Sequence, residues 1–310
     1  MRKTLNAGGG LKRDCGLVLQ LDREMRQSDA MSYPRSTSEP APKGANQFLT
    51  QLTSASKERE MKDLLNKVHA GDCREIMATW PDAVADACIT DPSYGDTSLE
   101  WDSRCAGWIE GVARVLKPAS SIWVFGSMRF IATLFVDMED AGFKYAQDIV
   151  WQKQNGSGFH ADRFRRVHEH AVQFYRGAWG DVFKEPQFTN DARAKTVRRK
   201  TRPTHTGHID AGHYVSEDGG PRLVRSVIDV ANEHGRAVHP TQKPLGIIAP
   251  LIKYSVPAGG IVIDPFMGSG STGIAAETLG RKFIGCELNP EYQTLLSDRQ
   301  RQRGLTLEFA

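Results

Sequence analysis

The chain has 310 residues, of which 40% are hydrophobic and 25% charged, with a formal net charge of +3. That length buries a full core as one large domain or two modest ones, and the composition is that of an ordinary globular protein. No apolar run approaches the ~20 residues that cross a bilayer, and the basic start MRKTLNAGGGLKRDCG lacks the apolar stretch of a signal peptide, so a cytoplasmic protein without membrane contact is expected. Five cysteines, at 15, 73, 88, 105 and 286, include no CxxC pair. They argue against a disulfide framework or a cysteine zinc site and for free thiols.

Residues 1–60 are rich in Ser, Gly, Pro, Lys and Arg without sustained periodicity, and they read as a flexible arm with one short helix near GLVLQLDREM. From residue 64 short apolar runs alternate with amphipathic stretches, the pattern of an α/β fold with a mainly parallel sheet. Strands are expected at KVHAG (67–71), DACIT (86–90), SSIWVFG (120–126), HAVQFYR (170–176), GGIVIDPF (259–266) and KFIGCEL (282–288). Helices fit WIEGVARVLKP, MRFIATLFVDMEDAG, PLGIIAPLIKYS and STGIAAETLG. Between 177 and 238 the pattern dissolves into polar, basic, His-rich sequence that reads as an insertion into the sheet domain.

That insertion carries much of the positive charge. From Lys153 to Lys243 there are 16 Lys and Arg against 10 Asp and Glu, and RAKTVRRKTR (193–202) holds six basic residues and no acid. Such a patch attracts polyphosphate backbones. The histidines at 205, 208 and 213 lack a cysteine partner and zinc-ligand spacing, and no metal is expected.

Two motifs point to chemistry. In IVIDPFMGSGSTGIAAETLGRKFIGCEL an apolar strand leads through a turn with Gly268 and Gly270 into a helix and a second strand that ends in Glu287. Glycines allow close backbone approach, the helix start offers free N–H groups, and the spaced acid suits ribose hydroxyls. The GK[ST] ending of a phosphate loop is missing, and Asp264 repels a pyrophosphate while welcoming an ammonium. S-adenosylmethionine fits that charge pattern better than NAD or ATP. The second motif, Asp91-Pro92-Ser93-Tyr94, follows the apolar run ACIT at a strand end.

Together the motifs resemble those of the DNA amino-methyltransferases, which modify exocyclic amines with S-adenosylmethionine. In that family a (D/N/S)PP(Y/F/W) tetrad follows one strand and an FxGxG turn follows its neighbour. Here the tetrad comes first, the basic region second and Phe266-x-Gly268-x-Gly270 last, which is similar to the permuted β-class order. HPTQKP (239–244), GDCREIM (71–77) and RFRRVHEHAVQFYR (163–176) also look like family segments. The resemblance spans about residues 64–300, with one departure: Ser93 stands where the family has a second proline.

The resemblance implies a Rossmann-like methyltransferase fold, with a catalytic half at 61–176, a target-recognition region at 177–238 and a cofactor half at 239–310. It gives Asp91 and the Pro92 carbonyl the target amine, and Tyr94 the stacking surface for a base flipped out of duplex DNA. Asp264, Phe266, Gly268 and Gly270 line the cofactor pocket, Glu287 holds the ribose, Asp72 faces the adenine edge, and Thr241 and Lys243 meet the methionine carboxylate. His239 is structural. Lys195, Arg198, Arg199, Lys200 and Arg202, with Arg222, Arg225 and Arg236 nearby, contact DNA. Asp91 at the first tetrad position points to adenine N6, with cytosine N4 as the alternative; carbon-5 methylation lacks its Pro-Cys pair. A catalytically silent DNA-binding homologue and transfer to RNA or a protein glutamine are the competing readings. A homodimer is expected, of the stand-alone orphan or prophage type, without a fused nuclease.

Overall fold

The computed structural model describes residues 59–95, 102–157, 161–199, 212–233, 237–239, 241–299 and 301. Of the expected arm at 1–60, all but residues 59 and 60 lie outside them. In chain order the elements begin with β1 (Lys67–Ala70), α1 (Cys73–Ala78), β2 (Ala85–Thr90), α2 (Ile109–Val115), β3 (Leu116–Gly126) and α3 (Met128–Asp140). There follow β4 (Lys144–Ser157), β5 (Arg166–Tyr175), β6 (Phe188–Thr189), β7 (Lys195–Arg199), β8 (Gly212–Ser216), β9 (Arg222–Leu223) and β10 (Val227–Asp229). The chain then forms α4 (Leu245–Ser255), β11 (Ile261–Asp264), α5 (Ser271–Thr278), β12 (Lys282–Glu287) and α6 (Pro290–Gln293).

Eight strands form one sheet in the order β1-β12-β11-β2-β3-β5-β4-β10. Only β5 runs against its neighbours, pairing antiparallel with both β3 and β4. The central strands are buried on both faces, as parallel strands covered by helices must be. Along β2 and β3 alternate side chains serve opposite cores: Cys88, Ile122 and Val124 meet α1, α2 and α3, while Ile89, Trp123 and Phe125 meet α4 and α5. The α3 helix shows why its sequence folds so. Ser127 caps its N-terminus by accepting from the Phe130 N–H, and Phe130, Ile131, Leu134 and Met138 make one apolar stripe on the sheet.

Three features differ from the sequence expectation. The helix expected through Pro118 stops at Val115, and β3 begins at Leu116; Pro118 bars Lys117 from helical geometry, so the chain extends early. The long strand β4 went unpredicted because KYAQDIVWQKQNGS is mostly polar, with only Ile149 and Trp151 fully buried. The segment 177–238 contains two two-stranded ribbons, β6-β9 and β7-β8, and also supplies β10, which pairs parallel with β4 inside the main sheet. Among the described residues no helix is long and apolar enough to cross a membrane.

Candidate active site

The sheet order places β11 beside β2 at its centre. From β11 the chain crosses through α5 to β12 on one side, and from β2 it crosses through α2 to β3 on the other. The loops after the two strands therefore part, leaving a crevice at their carboxyl ends, where open α/β sheets bind ligands. A cavity of about 720 Å³ opens there, lined by residues from both loops together with Asp72, His239, Thr241, Lys243 and Glu287.

On the β11 side the turn is held by two carboxylates. Asp264 accepts from the Phe266 N–H at 3.1 Å and from the Thr90 hydroxyl at 2.8 Å. Burial pushes its carboxyl up to about 6, although bonds from Thr272, Thr90 and Phe266 pull the other way. Glu287, at the end of β12, accepts from the Gly268 N–H at 2.7 Å and from the Asn289 N–H at 2.8 Å. Gly268 sits at φ +50° and Gly270 at φ +77°, left-handed values that carry the chain from strand into helix. A Cβ on Gly270 would lie 2.8 Å from Leu296. Gly270, expected to line the pocket, is the N-cap residue of α5 and is not among the residues that line the cavity.

On the β2 side the tetrad is fixed by charge. The buried Lys243 ammonium bonds to Asp91 Oδ2 and lies 3.4 Å from Glu169 Oε2. Glu169 in turn is bonded by Lys153, giving a chain of alternating charges, Lys153, Glu169, Lys243, Asp91. Burial raises the Asp91 carboxyl, and Lys243 opposes that rise. Burial also acts on Glu169, but Lys243 and Lys153 outweigh it and hold Glu169 at about 2. Asp91 Oδ1 is buried with no hydrogen-bond partner among the described residues. The Tyr94 ring rests 5.4 Å from that of Phe130, and the Tyr94 and Gly95 N–H groups both donate to Asp102.

The predicted site residues thus mostly converge. Asp91, Pro92, Ser93, Tyr94, Asp72, Thr241, Lys243, Asp264, Phe266, Gly268 and Glu287 all face one cavity. Lys243, expected at the methionine carboxylate, lines the cavity and pairs its charge with Asp91 and Glu169. Asp72 caps α1 and is bonded by Arg74 through Nε and Nη2. His239 accepts the Thr241 N–H at 3.2 Å and packs edge-on to Tyr292, and burial with the nearby Lys243 charge lowers it to about 4. Glu169, Lys153, Thr90 and Thr272 were missed; Glu169 lies within RFRRVHEHAVQFYR, where its position beside two histidines was the available signal. Lys195 and Arg198 are exposed on β7, and Arg199 lies on the same strand. Lys200, Arg202, Arg236, His205 and His208 fall outside the described residues.

The sheet order, the central crevice and the paired loops define a Rossmann-like methyltransferase. The chain belongs to the DNA methylase family N6_N4_Mtase, which matches residues 85–298. It is 28% identical over 271 residues to the type II methyltransferase M.HinfI of Haemophilus influenzae, covering 79% of this chain and 71% of that protein. It is 29% identical over 192 residues to the type II methyltransferase M2.DpnII of Streptococcus pneumoniae, covering 62% of this chain and 64% of that protein, just under two thirds of its length. Among solved structures, the M1.HpyAVI–SAM complex superposes with a TM-score of 0.52 at 27% identity, covering 75% of this chain and 98% of that one. The cytosine-N4-specific PvuII DNA methyltransferase shares the fold at 17% identity, with a TM-score of 0.53 over 76% of this chain and 88% of its own.

Proposed function

We propose that this chain transfers a methyl group from S-adenosylmethionine to the N6 amine of an adenine flipped out of double-stranded DNA. The observation that carries this reading is Asp91 Oδ1, a buried acceptor without a partner among the described residues, at the wall of a cavity that also holds Asp72, Asp264 and Glu287. That donor set fits S-adenosylmethionine and not a polyphosphate: buried Asp264 suits an ammonium, Glu287 keeps lone pairs for a ribose diol, and Asp72 meets the adenine edge. The Thr241 hydroxyl, 3.2 Å from His239 Nδ1, and the Lys243 ammonium line the end of the cavity left for the methionine carboxylate. When bound, the cofactor supplies an electrophilic methyl group on a sulfonium.

The residues of the chain prepare the amine. An exocyclic amine is a poor nucleophile because its lone pair is delocalised into the ring. Asp91 Oδ1 and the Pro92 carbonyl accept its two N–H bonds and localise the lone pair, while Lys243 opposes the rise that burial imposes on the Asp91 carboxyl. Asp91 then takes the proton the amine gives up. The Tyr94 ring, braced by Phe130, offers the face on which a base leaving the duplex stacks. The basic segment 177–238 supplies phosphate and groove contacts. Asp91 at the head of the tetrad favours adenine over cytosine.

The deciding experiment incubates the protein with unmethylated DNA and S-adenosylmethionine, digests to nucleosides and weighs the products, with Asp91→Ala as control. N6-methyladenosine from the wild type alone supports the reading. N4-methylcytosine would overturn the base, and no methylated nucleoside despite cofactor binding would favour the silent homologue or another substrate. We also infer a homodimer of the stand-alone type; a monomer mass that does not change with concentration would reject it.

A further inference from the structure

We propose that Phe164 is a wedge that enters the base stack of duplex DNA beside the active site and occupies the gap left by the flipped base. This rests on the functional reading above. Phe164 is 100% exposed, and the next most exposed large apolar side chain among the described residues, Leu288, reaches only 67%. A phenylalanine wholly in water, where every other described aromatic ring is at least partly covered, is placed for a partner.

Its position identifies the partner. The antiparallel pairings of β5 with β3 and with β4 make β4 run parallel to β3, so β4 ends and β5 begins at the catalytic edge of the sheet. Phe164 lies just before β5, and Glu169, on β5, is joined through Lys243 to Asp91. Five residues of extended chain span about 16 Å. One duplex can therefore meet both the wedge and the tetrad.

The surroundings match a nucleic acid. Arg163, Arg165 and Arg166 neighbour Phe164 in the sequence, against one acid, Asp162, which accepts from Arg163 at 2.9 Å and 2.7 Å. The Arg165 side chain lies across Gly156, where a Cβ would come within 2.5 Å of its Cγ, and so it folds back onto the hairpin. An apolar ring on an arginine-rich segment suits stacked bases flanked by phosphates, and apolar side chains are what proteins insert between base steps.

The test compares full-length wild type with Phe164→Ala and Phe164→Leu on two duplexes: one fully paired, and one with the target adenine opposite an abasic site, where no pairing must be broken. Phe164→Ala is expected to lower kcat/KM about tenfold or more on the paired duplex and by no more than about twofold on the other, the penalty of unstacking having been removed. Phe164→Leu keeps most of the activity, and cofactor affinity is unchanged in both variants. With 2-aminopurine at the target position, the fluorescence rise on binding shrinks in Phe164→Ala. Equal activity of wild type and Phe164→Ala on paired DNA, or an equal loss on both duplexes, overturns the wedge alone. A wild type that methylates neither duplex overturns the functional reading, and the wedge with it.

Discussion

Lys243 places its buried ammonium between Asp91 and Glu169, so that the acceptor of the tetrad is held by a cation reached from 152 residues away in the chain. Removing one partner from a buried ion pair costs about 3–5 kcal/mol, because the charge left behind has no solvent. Lys243→Met is therefore expected to be less stable and to transfer methyl groups at a reduced, still measurable rate. Asp91 works as a carboxylate, and its proton affinity is already raised by burial. Activity thus falls as pH drops through its folded pKa, and without the ammonium that limb moves to higher pH. An unmoved acid limb in a pH–kcat profile of Lys243→Met would sink this account.

Asp264 gives cofactor binding its own pH dependence. Its carboxyl titrates at about 6 in the folded protein. Above that pH it is ionised and ready for an ammonium; below it a proton must first leave, so affinity falls by about tenfold per pH unit at the acid end. Titration calorimetry should find this slope in the wild type, and a weak but flat profile in Asp264→Asn. A flat wild-type profile would remove Asp264 from the ammonium site.

Glu287 has two duties that one substitution separates. Glu287→Gln keeps the shape but sets an NH2 group against the Gly268 or the Asn289 N–H. Hydrogen bonds to charged groups contribute about 1.5–3 kcal/mol, so cofactor affinity should drop tenfold or more. The Gly268 amide should also exchange faster with solvent. Lost affinity with unchanged exchange would mean that the turn does not depend on this carboxylate.

The β7-β8 ribbon is exposed at most of its described positions, Lys195, Arg198, Tyr214 and Val215 among them. Two-stranded ribbons fit the major groove. Lys195→Gln with Arg198→Gln should weaken DNA binding for all sequences and make the salt slope shallower by about 1 for each phosphate no longer neutralised. Binding curves at several salt concentrations decide it, and an unchanged slope would take the ribbon off the phosphates.

His239 is held neutral, at about 4 against 6.5 when free. A depressed pKa contributes stability that is present above 6.5 and lost as pH falls through 4, up to about 3 kcal/mol. His239→Gln should lack this component. The gap between the two proteins in denaturant midpoint should narrow across that window, and a constant gap would show that the ring titrates freely.

Much of this was readable in the residues. The central strands are unbroken apolar runs, since strands buried on both faces have no polar side to show, and the turn and tetrad announced themselves because glycine, proline and acid cluster where strands end. What escaped was set by partners distant in sequence. The polar strand β4 is a strand because β5 and β10 pair with it. Glu169 looks like one more surface acid until Lys153 and Lys243 are brought beside it by the sheet. Lys243 itself was found by motif, but its pairing with Asp91 and Glu169 was not, because a cation's partner depends on which carboxylates the fold brings beside it.

The sheet order also bears on how the chain comes together during synthesis. The strand β2 leaves the ribosome early, but its neighbour β11 arrives later; the bond from Thr90 to Asp264 spans 174 residues. Until then one edge of β2 offers unpaired N–H and C=O groups, a template for any passing strand. The cofactor turn is thus also the plug that closes the middle of the sheet, and a nascent chain halted before residue 261 should be a client of chaperones rather than a half-active enzyme.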